Sequence, residues 1–150
     1  MKKSNRPAWD EYFLEIAQLV GKRSTCLRRK YGAVIVKDNI IVSTGYNGAA
    51  RGEPNCIDTG LCVREQYNVP KGERYELCVA VHAEQNAIIA GDPVKMKGGT
   101  IYIAGQNSDG SLACSEPCLL CRRMIKNAMI KRVVFLDEEG RKKNIRFDAV

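Results

Sequence analysis

The stretch TIYIAGQNSDGSLACSEPCLLCRRMIKNAMIKRVVFL, residues 100–136, decides the fold. TIYIA at 100–104 and RVVFL at 132–136 are short apolar runs rich in β-branched and aromatic residues, which predicts two buried strands. Between them PCLLCRRMIKNAMI opens on Pro117, suited to a helix start, and carries Leu120, Met124, Ile125 and Ala128 on one face. A strand, a helix and a second strand predict a crossover connection, which is the mark of a sheet with helices packed on it.

Working outward, VAVHAEQNAIIAGDP at 79–93 reads as another helix, stopped by Gly91 and Pro93. Upstream, GAVIV at 32–36 and IIVSTG at 40–45 are joined by Lys37, Asp38 and Asn39 and predict a β-hairpin. Trp9, Tyr12, Phe13, Ile16, Ala17 and Val20 repeat at helical spacing between Pro7 and Gly21. From Tyr46 to Leu77 no period is sustained, and so long an irregular segment points to a functional loop or one pinned by something other than a core. The tail DEEGRKKNIRFDAV gives no reading. The order α, β, β, α, β, α, β predicts a mixed sheet covered by helices on both faces.

The length of 150 residues suits one domain, and 45% hydrophobic with 27% charged residues is the composition of a soluble globular protein. No stretch reaches the roughly 18 apolar residues of a membrane span, and MKKSNRPAWD lacks the apolar run of an export signal, so a cytoplasmic protein is expected. There the seven cysteines are expected as thiols or metal ligands and not as disulfides. The formal charge of +7 suits an anionic partner, although a solvated basic surface explains it equally. The basic runs are short, with no Arg-rich tail or interleaved aromatics, which argues against nucleic acid.

Cys118 and Cys121 stand three apart at a predicted helix start, a spacing that serves a metal site or a redox pair. His82, the single histidine, adds a third ligand. Two thiolates and a neutral imidazole hold Zn²⁺ and leave its fourth position open, which is the arrangement of a catalytic site. Glu84 is the nearby carboxylate able to move protons. Residues two apart on a helix point to opposite sides, so His82 and Glu84 converge only beyond a helix end. The site is therefore expected above the N-termini of both helices, where their dipoles favour negative ligands. A buried, hydrogen-bonded histidine with two core cysteines is the ordinary alternative. It is disfavoured because H-x-E followed by P-C-x-x-C is the signature of zinc-dependent nucleobase deaminases.

With these residues the sequence resembles the cytidine deaminase superfamily. STC at 24–26, GAVIVKDNIIVSTGYNG at 32–48, NC at 55–56, HAEQNAI at 82–88 and PCLLC at 117–121 follow the order of its deoxycytidylate (dCMP) deaminase branch. The resemblance implies a three-layer α/β/α sandwich with a central mixed sheet of about five strands. It also implies hydrolytic deamination of dCMP to dUMP and ammonia, with zinc-activated water attacking C4, Glu84 as proton shuttle and His82, Cys118 and Cys121 as zinc ligands. Asn47 would contact the sugar, Arg28 the phosphate and the Ala83 amide the base, while Gly45, Tyr46 and Gly48 would line a substrate or effector surface. Further implications are a homo-oligomer such as a hexamer, activation by dCTP with Mg²⁺ and inhibition by dTTP. One departure is the stretch GQNSDGSLACSE at 105–116, where related sequences pass almost directly from strand to PCxxC; bordering the pocket, it bears on the choice of substrate.

Cys26, Cys56, Cys62 and Cys78 flank the irregular segment. Four thiolates around a second, structural Zn²⁺ would pin a loop that lacks a core, and four free buried thiols are the alternative. Cys114 is left without a role. Competing functions keep the chemistry and change the ligand, to another nucleotide or nucleoside or to adenosine in tRNA, or dispense with catalysis in a structural-zinc nucleic-acid-binding module.

Overall fold

The computed structural model describes residues 5–147, so Met1–Ser4 of the segment read for an export signal and Asp148–Val150 of the tail lie outside it. The chain opens with helix α1 (Trp9–Gly21), followed by the hairpin strands β1 (Arg29–Lys37) and β2 (Ile40–Tyr46). Asp38 and Asn39 make the turn with φ of 52° and 61°, the left-handed pair that suits the twist of a tight hairpin. A short strand β3 (Gly48–Ala49), helices α2 (Cys56–Thr59) and α3 (Val63–Gln66) and a 3₁₀ turn (Tyr75–Leu77) occupy the irregular segment. Strand β4 (Ala80–Val81), helices α4 (Ala83–Ala90) and α5 (Pro93–Met96), strand β5 (Thr100–Asn107), helix α6 (Leu119–Asn127) and strands β6 (Arg132–Leu136) and β7 (Lys142–Arg146) complete the described residues.

The main sheet has the order β2-β1-β5-β6-β7. Only β5 and β6 are parallel, with Ile101 opposite Val133, and α6 is the crossover between them. The other neighbours are antiparallel, which makes the sheet mixed. Alternation along the central strands sends side chains to two cores. Ala33, Ile35, Ile101, Ile103, Val133 and Phe135 meet Ala83 and Ala87 of α4, Met96 of α5 and Ile125 of α6 on one face. On the other, Val34, Val36, Tyr102, Ala104 and Val134 meet Phe13, Leu14 and Ala17 of α1. The result is the three-layer α/β/α sandwich.

Three details differ from the sequence expectation. The fifth strand of the sheet, β7, lies in the tail that gave no reading. Ala80 and Val81, expected as helix, pair instead with Ala49 and Gly48 in a two-stranded ribbon, so α4 begins after His82. Finally, β5 runs on to Asn107, and the extra loop folds back on it through a bridge between Gln106 and Leu112. The loop is anchored at its far end by Ser115, whose buried hydroxyl donates to the Ile103 carbonyl at 2.7 Å and accepts from the Leu136 amide at 3.0 Å.

Candidate active site

His82 is the N-cap residue of α4 and Cys118 that of α6, each with extended backbone. Gln85 Oε1 accepts from the His82 amide at 2.9 Å, and the Asn86 side chain donates to the Tyr46 carbonyl at 2.8 Å, fixing the start of α4 against the end of β2. At the start of α6 the Cys121 amide faces Cys118 Sγ at 3.5 Å. The two helix starts meet: His82 Nδ1 stands 3.2 Å from Cys121 Sγ and 3.6 Å from Cys118 Sγ.

A tetrahedral Zn²⁺, with Zn–N about 2.05 Å and Zn–S about 2.3 Å, would place its nitrogen and sulfur ligands about 3.5 Å apart. The observed separations fit. The three ligand atoms lie within 4.8 Å of one another, and among the described residues no other group of histidine, cysteine and acidic side chains is so compact. Donor chemistry agrees with the spacing. The Cys121 thiol donates to Cys118, bringing Cys118 down to about 4, and the same interaction with burial pushes Cys121 up. Cys118 in turn raises His82. Such a cluster holds protons that a divalent cation can displace.

Glu84 lies in the first turn of α4 and is 6% exposed. Burial pushes its carboxyl above the ordinary range, against the opposing influence of His82. Its interaction with Cys121 places it beside the cluster of His82, Cys118 and Cys121. Tyr31, on β1, is influenced by both Arg29 and Glu84, and its hydroxyl donates to the Cys114 carbonyl at 3.4 Å. Cys114 is thereby tied to β1 through Tyr31.

The remaining expected residues are placed as follows. Asn47 is buried, its Oδ1 accepting from the Tyr31 amide at 2.8 Å and its Nδ2 donating to the Arg29 carbonyl at 2.9 Å. One amide hydrogen and one lone pair are left for a ligand. Gly45 allows the close packing of α4, because a Cβ there would stand 2.4 Å from the Ala87 nitrogen and 2.5 Å from the Ala83 carbonyl oxygen. Gly48 faces Thr25 Oγ1 in the same way, at 2.6 Å. Ala83 is fully buried as the first residue of α4.

Arg28 is the residue expected at a phosphate. Its guanidinium pairs with Glu65 at 3.3 Å, whereas the next residue, Arg29, lines a cavity of about 110 Å³ with Lys71, Asn107, Cys114 and Glu138. Arg28 lies in the bend that precedes β1, whereas Arg29 is the first residue of the strand. The sequence also gave no hint of Arg64 or Tyr75. Tyr75 packs edge-to-face on His82, with ring centroids 5.6 Å apart, and the Arg64 guanidinium lies 5.0 Å from the centre of the Tyr75 ring.

Cys26, Cys56, Cys62 and Cys78 converge without reaching ligand spacing. Burial and then the charges of the other three raise the Cys56 thiol, and the Ile57 amide donates to the Thr25 carbonyl at 3.2 Å, bringing residues 25–26 beside 56–57. All four are free thiols.

Comparison with known proteins agrees with this geometry. Residues 7–137 match the family model described as the cytidine and deoxycytidylate deaminase zinc-binding region. The deoxycytidylate deaminase of Mycobacterium phage D29 is 41% identical over 139 residues, covering 89% of this chain and 98% of the phage protein. The deoxycytidylate deaminase of Schizosaccharomyces pombe is 37% identical over 131 residues, but this chain spans only 37% of its length. Among solved structures, the dCMP deaminase of cyanophage S-TIM5 in complex with dCMP and dUMP is 27% identical with a TM-score of 0.57, covering 87% of this chain and 82% of that one.

Proposed function

Because the chain belongs to the cytidine and deoxycytidylate deaminase family, we propose that it is a single-domain hydrolase that converts dCMP and water to dUMP and ammonia. The observation that carries this reading is the meeting of His82, Cys118 and Cys121 at two helix starts with the buried carboxyl of Glu84 beside them. The named activity of the D29 relative and the nucleotides held by the S-TIM5 relative support dCMP as substrate.

His82 Nδ1 and the sulfurs of Cys118 and Cys121 would hold zinc. When bound, zinc supplies Lewis acidity that brings the ionisation of water down to about pH 7. Glu84 does the proton work. Of the two protons of water, one ends on the uracil ring nitrogen and the other on departing ammonia, and Glu84 is the buried base that carries them. Desolvation suits the role, since a carboxyl with a raised pKa takes a proton more readily than an exposed one. Arg29, with Lys71, supplies positive charge for the phosphate in place of Arg28, and Asn47 meets the sugar while bracing β1.

The same resemblance supports a structural zinc on Cys26, Cys56, Cys62 and Cys78, a homo-oligomer, and regulation by dCTP with Mg²⁺ and by dTTP, while a cytoplasmic location rests on the sequence reading alone. No helix among the described residues is long and apolar enough to cross a membrane. The deciding experiment is ammonia release from dCMP, CMP, deoxycytidine, dCTP, dAMP, guanine and a tRNA, with and without dCTP and Mg²⁺. Turnover of dCMP above all others is expected, and turnover of a different member in preference overturns the substrate assignment.

A further inference from the structure

Between residues 50 and 80 one side chain is buried, and it is an arginine. Arg64 is 8% exposed, and none of the ion pairs among the described residues involves it. Its charge is met by main-chain oxygens. Nη1 donates to the Glu73 carbonyl at 2.7 Å and the Arg74 carbonyl at 3.2 Å, and Nη2 donates to the Pro70 carbonyl at 3.0 Å. A buried cation without a counter-ion is costly, and here it closes the turn at 70–74 around itself. The outcome of that closure is the position of Tyr75, whose ring lies under the guanidinium and meets the His82 imidazole at an interplanar angle of 86°.

We propose that Arg64 and Tyr75 are positioning residues, Arg64 folding the 70–75 loop so that the Tyr75 ring holds the His82 imidazole in the plane that aims Nδ1 at the metal. A metal-binding histidine needs a neighbour to set its ring orientation, and loss of such a neighbour ordinarily costs about 10–100-fold in metal affinity or activity. In this chain an aromatic contact does that work. The arginine is needed as an arginine, because its planar fork reaches three carbonyls and still lies flat over a ring. The inference rests on the reading of His82 as a zinc ligand.

The test compares Tyr75→Leu, Tyr75→Phe and Arg64→Lys with the wild-type protein. Zinc release to a chelator is followed without substrate, the phase missing in Cys118→Ser being assigned to the His82 centre, and kcat and KM are then measured with dCMP. Tyr75→Leu and Arg64→Lys are expected to release that zinc roughly tenfold faster or more, with kcat lower by a similar factor and KM within about threefold. Tyr75→Phe, which keeps the ring, is expected within about twofold of wild type on every measure. Wild-type zinc release from Tyr75→Leu overturns the inference. So does a Tyr75→Phe variant as impaired as Tyr75→Leu, or a change confined to KM, since either makes the tyrosine a substrate contact. If Arg64→Lys fails to fold, the Tyr75 pair still decides, because replacing a half-buried ring leaves no charge stranded. Equal zinc content in wild type and Cys118→Ser removes the premise itself, a different failure from normal zinc binding with an indifferent Tyr75.

Discussion

Glu84 is a carboxyl that the fold buries with no arginine or lysine among the described residues paired to it, next to thiols instead. Stability alone does not favour such a placement, since desolvation penalises the charged form. Glu84→Gln keeps the shape and removes the group proposed to carry the proton. Turnover of dCMP is expected to fall by about 10²–10⁴-fold, while zinc content and the unfolding midpoint stay near wild type; an active Gln variant would remove Glu84 from the chemistry. The arginines at the start of β1 are a second residue-scale case. The sequence reading favours Arg28 over Arg29, and nothing local separates the two, because the start of β1 between them leaves no mark in a run of three basic residues. Arg29→Gln is expected to raise KM for dCMP by roughly 10–100-fold, the loss of a charge-assisted hydrogen bond of about 1.5–3 kcal/mol. Arg28→Gln, freed from Glu65, is expected to leave KM within about threefold. The reverse ranking in steady-state kinetics would return the phosphate to Arg28.

At the scale of elements, α1 is locked to the sheet by one carboxylate. Asp10 Oδ1 accepts from Tyr102 Oη at 2.7 Å and Arg132 Nη1 at 2.9 Å, and Oδ2 from Arg132 Nη2 at 2.5 Å and Lys142 Nζ at 3.1 Å. One side chain thereby joins α1, β5, β6 and β7. Arg132 above all holds the Asp10 carboxyl well below the usual carboxylate range. The folded protein therefore binds this proton less readily than the unfolded chain, whose carboxyl ionises near pH 3.9. The stability it contributes is fully present above that value and is lost as pH falls toward the depressed folded pKa. Asp10→Asn is expected to cost about 2 kcal/mol at pH 7, and its thermal midpoint should approach that of wild type as pH is lowered below about 4. Midpoints that stay equally separated down to pH 3 would show that ionisation is not what holds α1. Among elements, α1, the hairpin and the β5–α6–β6 unit were legible because each has a buried face that imposes a period on its sequence. Strand β7 was not, since KKNIR at the sheet edge turns only Ile145 partly inward and the rest to solvent. Nor was β4, whose residues Ala80 and Val81 continue smoothly into the apolar spacing of α4.

For the whole molecule, stability and function are divided unevenly along the chain. Both hydrophobic cores flank the main sheet, and neither draws a buried residue from the segment 50–80. That segment nonetheless brings Tyr75 to His82 and Lys71 to the cavity beside Arg29. Within it Arg64 bonds to main-chain carbonyls and Cys26, Cys56, Cys62 and Cys78 influence one another, and the sequence could register only the cysteines, because a loop without a core has no periodicity to read. A structural metal on these thiols would close the loop and stabilise it chiefly against local opening, leaving the sheet to its own packing. Removing zinc with a strong chelator under reducing conditions is thus expected to speed tryptic cleavage at the exposed Arg51, Lys71 and Arg74 by tenfold or more, while circular dichroism retains the helix and strand signal of the intact sandwich. Cys56→Ser should reproduce the cleavage without the chelator. Cleavage spread evenly over the chain would mean that metal and core unfold together. Unchanged cleavage would mean that Arg64 and the main-chain bonds hold the segment alone, with the four thiols as neighbours and not ligands.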